Sequence, residues 1–339
     1  MSTNTSPATA FQAHDAKFAA ITGLEPKLEV LLEVTEYPFA HEAGVFIAAT
    51  NELFITSNQF VDKKTGVKKL QINKVSLGDA IQQVTREEIE CDVIQMGNGG
   101  VNYQDDSKIL FCAQGSMTQP SGLFAMDAKA PYNTAAVVTD FRGRPFNSVN
   151  DVVVHSKDGS IWFTDPSYGY EQGYRPRPRL PSQVYRYEPG TGTIRAVADG
   201  FGHPNGLCFS PDETVMYVTD TDWIYGDGST DDSRVSSIYA FDVTYYSGSP
   251  FLCNRRLFAM ADTGIPDGIK CDLEGNVYSG CGDGVHVWSA GGVLLGKILV
   301  DGGAANFCFG RNGELFILNE TRLWRAELGP EVKGALLRI

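Results

Sequence analysis

One phrase recurs six times along this chain, and such a recurrence limits the available folds more than any local propensity does. The six copies are HEAGVFIAATNELFITS (41–57), NGGVNYQDDSKILFCAQG (98–115), VNDVVVHSKDGSIWFTD (149–165), HPNGLCFSPDETVMYVTD (203–220), IPDGIKCDLEGNVYSG (265–280) and AANFCFGRNGELFILN (304–319). Each joins an alternating strand to a turn rich in Asp, Gly, Asn or Ser and then to a strand of β-branched or aromatic residues, which is how a hairpin reads. A shorter alternating phrase follows each copy, among them GLFAMD (122–127), QVYRYEP (183–189), SIYAFDV (237–243) and GVHVWSA (284–290). Alternation of this kind marks half-buried strands. One more strand-like piece follows most of them, so a four-strand unit repeats six times at a period of roughly fifty residues. The expected fold is all-β: a six-bladed β-propeller with four antiparallel strands per blade. LEVLLEV (28–34) precedes the first copy and is expected to close the ring as the outermost strand of the last blade, removing an exposed edge. Residues 1–20 are expected to form a flexible or short helical lead-in, and residues 21–339 a single propeller domain.

Charge and cysteine usage narrow the class of partner. Asp and Glu number 41 against 28 Lys and Arg, a formal net charge of −13. Nucleic acid is excluded as a partner, because phosphate binding needs a basic surface. The N-terminus has no basic stretch leading into an apolar one, and no run of about 18 apolar residues occurs, so a membrane partner is not expected and the location read from the sequence is cytoplasmic. Seven cysteines without a CxxC pair or a Cys/His ligand spacing predict reduced thiols, with Cys112, Cys208, Cys271 and Cys308 buried in apolar runs.

The first strand of a propeller blade lines the central channel, so the residue at its entrance faces the channel mouth. The entrances here are Glu42, Asn98 or Gly99, Asn150, Asn205, Asp267, and Ala305 or Asn306. Turn chemistry explains any single Asn-Gly or Asp-Gly among them, since these pairs accept positive φ. It does not explain Glu42, because Glu is a poor turn former. Glu42, Asn150, Asn205 and Asp267 together make an oxygen-only cage of two carboxylates and two amides. Such a cage suits one divalent metal, Ca2+ first, with Mg2+, Mn2+ or Zn2+ as alternatives. No GxSxG nucleophile, phosphate loop or dinucleotide fingerprint competes with it.

These entrances, EAGVF, VNDVVV, HPNGLCFSPD and IPDGIKCD, together with WFTDPSYG, resemble the senescence marker protein/gluconolactonase (regucalcin-like) family of six-bladed lactonases. The resemblance runs from about residue 28 to the end and implies a metal held by a Glu, two Asn and an Asp, falling on Glu42, Asn150, Asn205 and Asp267. It further implies hydrolysis of a lactone ring. Ser148 stands where the family commonly has an Arg two residues ahead of the Asn ligand. Asp267 and Asp165 are the two candidate bases for the attacking water, since ring opening needs a polarised carbonyl, a nucleophilic water and an acid for the leaving alkoxide. Loops 168–181 and 221–234 bring aromatic residues over the same face, so Tyr168, His203, Trp223 and Arg144 are expected to bind a lactone bulkier or more apolar than a sugar lactone. Phosphotriesterase-like or strictosidine-synthase-like chemistry on the same cage, and a non-enzymatic binding scaffold, are the alternatives. Oligomeric state is not legible.

Overall fold

The computed structural model describes residues 10–339 apart from Lys64 and Asp79, so residues 1–9 of the expected lead-in lie outside the described residues. Six antiparallel sheets stand in a ring as the blades of a propeller. Their first strands are Glu42–Ile47, Gly97–Tyr103, Val152–Val154, Pro204–Phe209, Ile269–Cys271 and Asn306–Phe309. Each is followed outward by three more strands, as in blade three, where Ile161–Asp165, Gln183–Glu188 and Thr193–Ala198 come next. The last blade takes its outermost strand from the other end of the chain: Lys27–Glu33 pairs antiparallel with Arg322–Glu327. The ring is therefore closed by hydrogen bonds between chain ends, as the sequence led us to expect.

Burial falls from the axis outward and follows from the residue choice. Glu42–Ile47 and Pro204–Phe209 are buried along their whole length, because an inner strand is covered by the neighbouring blades on both sides. Outer strands such as Thr193–Ala198 are only part-buried, with Ile194 alone fully covered. Between blades the core is aromatic. Phe146, Phe163 and Tyr185 pack with ring centroids 5.2 to 5.5 Å apart, and Trp162 meets Phe209 edge-on at 5.6 Å. Each such side chain, fully buried, contributes about 1.5–3 kcal/mol.

Both ends of the chain are used. Phe11–Ala13 adds a fifth strand to blade five by pairing with Gly296–Ile298, and a short helix, Phe18–Thr22, packs Phe18 and Ile21 into the same core. Gly334 to Arg338 line a small cavity at the lower mouth with Val153, Leu207, Cys271 and Phe309. No helix among the described residues is long and apolar enough to cross a membrane.

Candidate functional site

At the upper mouth, a cavity of about 370 Å3 is lined by Glu42, Asn150, Asn205 and Asp267, with Asn98, His41 and Tyr168 beside them. The four expected oxygen donors therefore come from blades one, three, four and five onto one cavity. Their approach is set by how tightly the inner strands pack. A Cβ on Gly206 would sit 2.5 Å from the carbonyl oxygen of Asp267, and one on Gly268 would sit 2.3 Å from Cγ of Asn306. Neither glycine has a positive φ. The Gly after the polar entrance thus serves close approach between blades, where turn chemistry was the alternative read from sequence.

The donors differ in what else they touch. Glu42 Oε2 accepts from Asn306 Nδ2 at 2.7 Å, and Asn98 Nδ2 donates to the Asn150 carbonyl at 3.2 Å, so the remaining two entrances support the donors. Asn150 Oδ1 and Asp267 Oδ1 are buried and have no hydrogen-bond partner. Buried polar atoms are nearly always partnered, so two orphaned oxygens in one cage fit a bound cation. Glu42 and Asp267 are each driven upward in pKa, chiefly by burial. Repulsion by Asp267 adds to the shift at Glu42, while the His41 imidazolium opposes both. A divalent ion would relieve that burden, and the hard oxygen set suits Ca2+ or Mg2+ better than a soft metal. His41 Nδ1 donates to Glu320 Oε1 at 2.6 Å across the ring seam.

Asp165 stands elsewhere. It is fully buried, is not among the cavity-lining residues, and uses both oxygens as acceptors, Oδ2 for the Asn147 amide at 3.0 Å and Oδ1 for the Ser148 amide at 2.8 Å. Burial pushes its carboxyl up to about 7. The arrangement recurs in blade four, where Asp220 accepts from Gly202 N at 3.1 Å and His203 N at 2.9 Å. A base must reach water, and Asp165 is committed to its own backbone.

Of the residues expected to touch substrate, Tyr168 lines the cavity, while His203, Trp223 and Arg144 do not. His203 stacks on Tyr168 at 4.8 Å and holds it from behind. Trp223 turns its indole N–H to Asp232 Oδ1 at 2.9 Å. Arg144 is exposed and donates to the Arg179 carbonyl. The loops contribute through other residues: Ile224, Tyr225 and Gly226 line the cavity, and Glu171 takes hydrogen bonds from both His203 and Gly226. Sequence reasoning also missed Arg175, which is buried and donates to the carbonyls of Ser116, Gln119, Phe146 and Asn147. Its only signal is its place in a loop, which Arg177 and Arg179 share.

Asp262, Asp283 and His286 bring their ligand atoms within 4.8 Å of one another on blade five. Lys297 Nζ already stands among them, 2.7 Å and 2.9 Å from the oxygens of Asp262 and 3.1 Å from Asp283. The ammonium pairs with both carboxylates, so this cluster is an ion-pair network.

Comparison with known proteins agrees with this geometry. The model of the family described as SMP-30/Gluconolactonase/LRE-like region matches residues 67–320. Lactonohydrolase oryL of Aspergillus oryzae is 29% identical over 86% of this chain and 67% of its own length. A gluconolactonase of Zymomonas mobilis is also 29% identical, over 65% of this chain and 60% of its own. The solved structure of XC5397 from Xanthomonas campestris, described as a gluconolactonase, superposes with a TM-score of 0.74 at 28% identity and covers 96% of each chain.

Proposed function

The chain belongs to the SMP-30/gluconolactonase/LRE-like family, and on that premise we propose that it is a metal-dependent hydrolase that opens the ring of a lactone. The observation that carries this reading is the pair of orphaned oxygens, Asn150 Oδ1 and Asp267 Oδ1, on the cavity that Glu42 and Asn205 also line. When bound, a divalent cation supplies Lewis-acid polarisation of the lactone carbonyl and a lowered pKa for bound water. Glu42, Asn150, Asn205 and Asp267 would hold it, with Ca2+ the first candidate. Asp267 also takes the proton of the attacking water, a part that Asp165 is badly placed to play.

Around this centre the chain's own residues orient the ring and limit water. Leu70, Ile224 and Ile265 give the cavity an apolar side, and Tyr168 and Tyr225 add aromatic faces. That wall favours a lactone bulkier or more apolar than a plain sugar lactone. The partner is thus a small molecule, and the seven unpaired thiols support a reducing, cytoplasmic setting. The reaction class is tested by a pH-indicator assay of acid release. Protein stripped with chelator and resupplied with single divalent metals is offered aldonolactones, aliphatic lactones and aryl lactones, with a phosphotriester alongside. Metal-restored hydrolysis of any lactone is the expected result. Hydrolysis of the phosphotriester alone, or no turnover with metal bound, overturns it.

A further inference from the structure

Thr164-Asp165 and Thr219-Asp220 occupy the same place in successive blades, at the end of the second strand. All four side chains are essentially buried, and none lines the cavity. Each aspartate clasps two amides of its own blade, and in both blades the second of these, Ser148 or His203, lies two residues ahead of the Asn donor. Each threonine reaches the next blade. Thr164 Oγ1 donates to the Asn205 carbonyl at 2.7 Å, and Thr219 Oγ1 donates to the Asp267 carbonyl at 3.0 Å. The same hydroxyls accept from Asp151 N at 3.1 Å and from Gly206 N at 2.7 Å.

With the two-residue backbone steps from Ser148 to Asn150 and from His203 to Asn205 included, the bonds form a chain: Asn150, Asp165-Thr164, Asn205, Asp220-Thr219, Asp267. We propose that these two Thr-Asp dipeptides are positioning residues that join three donors of the candidate metal site, each on a separate sheet, into one framework. The inference rests on the metal reading above. Adjacent blades share no sheet, so no ladder of strand hydrogen bonds fixes one entrance against the next. A hydroxyl that accepts from one backbone and donates to the neighbouring one does so. Blade one uses the device as well, with Thr56 Oγ1 donating to the Asn98 carbonyl at 2.9 Å. Blade two has Ala113 in this place, and there the Gly99 amide at 2.9 Å and the Asn98 side chain at 3.2 Å tie to the Asn150 carbonyl instead. Groups one shell behind metal donors set donor orientation, so loosening this framework is felt first as lost cation affinity.

The experiment compares Thr164→Val and Thr219→Val, which keep shape and lose the hydroxyl, with Thr164→Ser and Thr219→Ser, which keep the hydroxyl. Full-length protein is stripped with chelator and titrated with CaCl2 by calorimetry, and the melting temperature of the stripped protein is measured beside it. The Val variants should bind Ca2+ about 10- to 100-fold more weakly, and the Ser variants within about threefold of wild type. Should a Val variant fail to fold, Asp165→Asn and Asp220→Asn are titrated in its place, with the same loss of affinity expected. Wild-type Ca2+ affinity in folded Val or Asn variants overturns the positioning role and leaves the metal site standing. A wild-type protein that binds no divalent cation overturns both readings.

Discussion

Glu171 Oε1 accepts a hydrogen bond from His203 Nε2 at 2.8 Å, while the other oxygen of the same carboxylate accepts the Gly226 amide at 2.9 Å. One side chain therefore latches the 221–234 loop to the short helix Tyr168–Glu171 and to the ring that backs Tyr168. Burial works against ionisation here, but bonds from His203, Ser167 and Gly226 hold the carboxyl down to about 2. Its folded pKa is depressed, so the latch contributes fully above the unfolded value of about 4.3 and is lost as pH falls from there towards 2. Hydrogen exchange of residues 221–234 should accelerate over that window. Glu171→Ala should show the fast exchange at neutral pH, with KM for the best lactone raised and the exchange of the inner strands unchanged.

Asp267→Ala should abolish metal-restored hydrolysis, by at least about 100-fold in turnover, because it removes a ligand and the proposed base together. Wild-type protein at 100 times its Kd for Ca2+ should gain about 2.7 kcal/mol of stability. The variant should gain almost none. Thermal melts with and without CaCl2 check this, and a full calcium shift in Asp267→Ala would remove Asp267 from the site.

Asp165 offers a pH prediction of opposite sign to Glu171. Burial raises its folded pKa to about 7, above the value of about 3.9 in the unfolded chain. The folded state therefore holds a proton that the unfolded state has released, and stability falls as pH rises from about 4 to about 7. Asp165→Asn removes this decline. Subtracting its stability curve from that of wild type, from urea melts between pH 4 and 8, should leave a slope confined to that window.

Gly206→Ala places a methyl 2.5 Å from the Asp267 carbonyl oxygen, which is backbone and cannot turn aside. Overpacking of this kind costs about 1–3 kcal/mol. The urea midpoint should drop accordingly. Gly143→Ala, where a Cβ meets nothing but φ is 83°, should cost less and leave metal affinity alone.

The ring, the blade count and the closing strand were all legible, because a propeller repeats its alternation six times and each repeat reinforces the others. The four oxygens on one cavity were legible for the same reason, since symmetry converts equivalent positions in sequence into neighbours in space. What escaped was whatever the repeat does not fix. Arg144 was named and Arg175 missed, because only the folding of the loop decides which arginine is buried. Asp165 ends a second strand and Asp267 stands just before a first one, and their difference lies in which amides are within reach. Glu171 and Glu320 act across distances in sequence that no local pattern encodes. Phe11–Ala13 joins blade five although three residues are too few to show alternation.

The seam of the ring has a temporal consequence. Glu42 is supported by Asn306, and His41 by Glu320, so each waits for a partner made 264 and 279 residues after it, respectively. At roughly 5–20 residues per second, a ribosome needs about 13 to 53 s to travel from one group to the other. Until then the growing chain holds unmatched carboxylates and an unclosed edge. The finished cage thus requires that synthesis has passed residue 306, and a chain truncated before that point should neither close nor hold a cation.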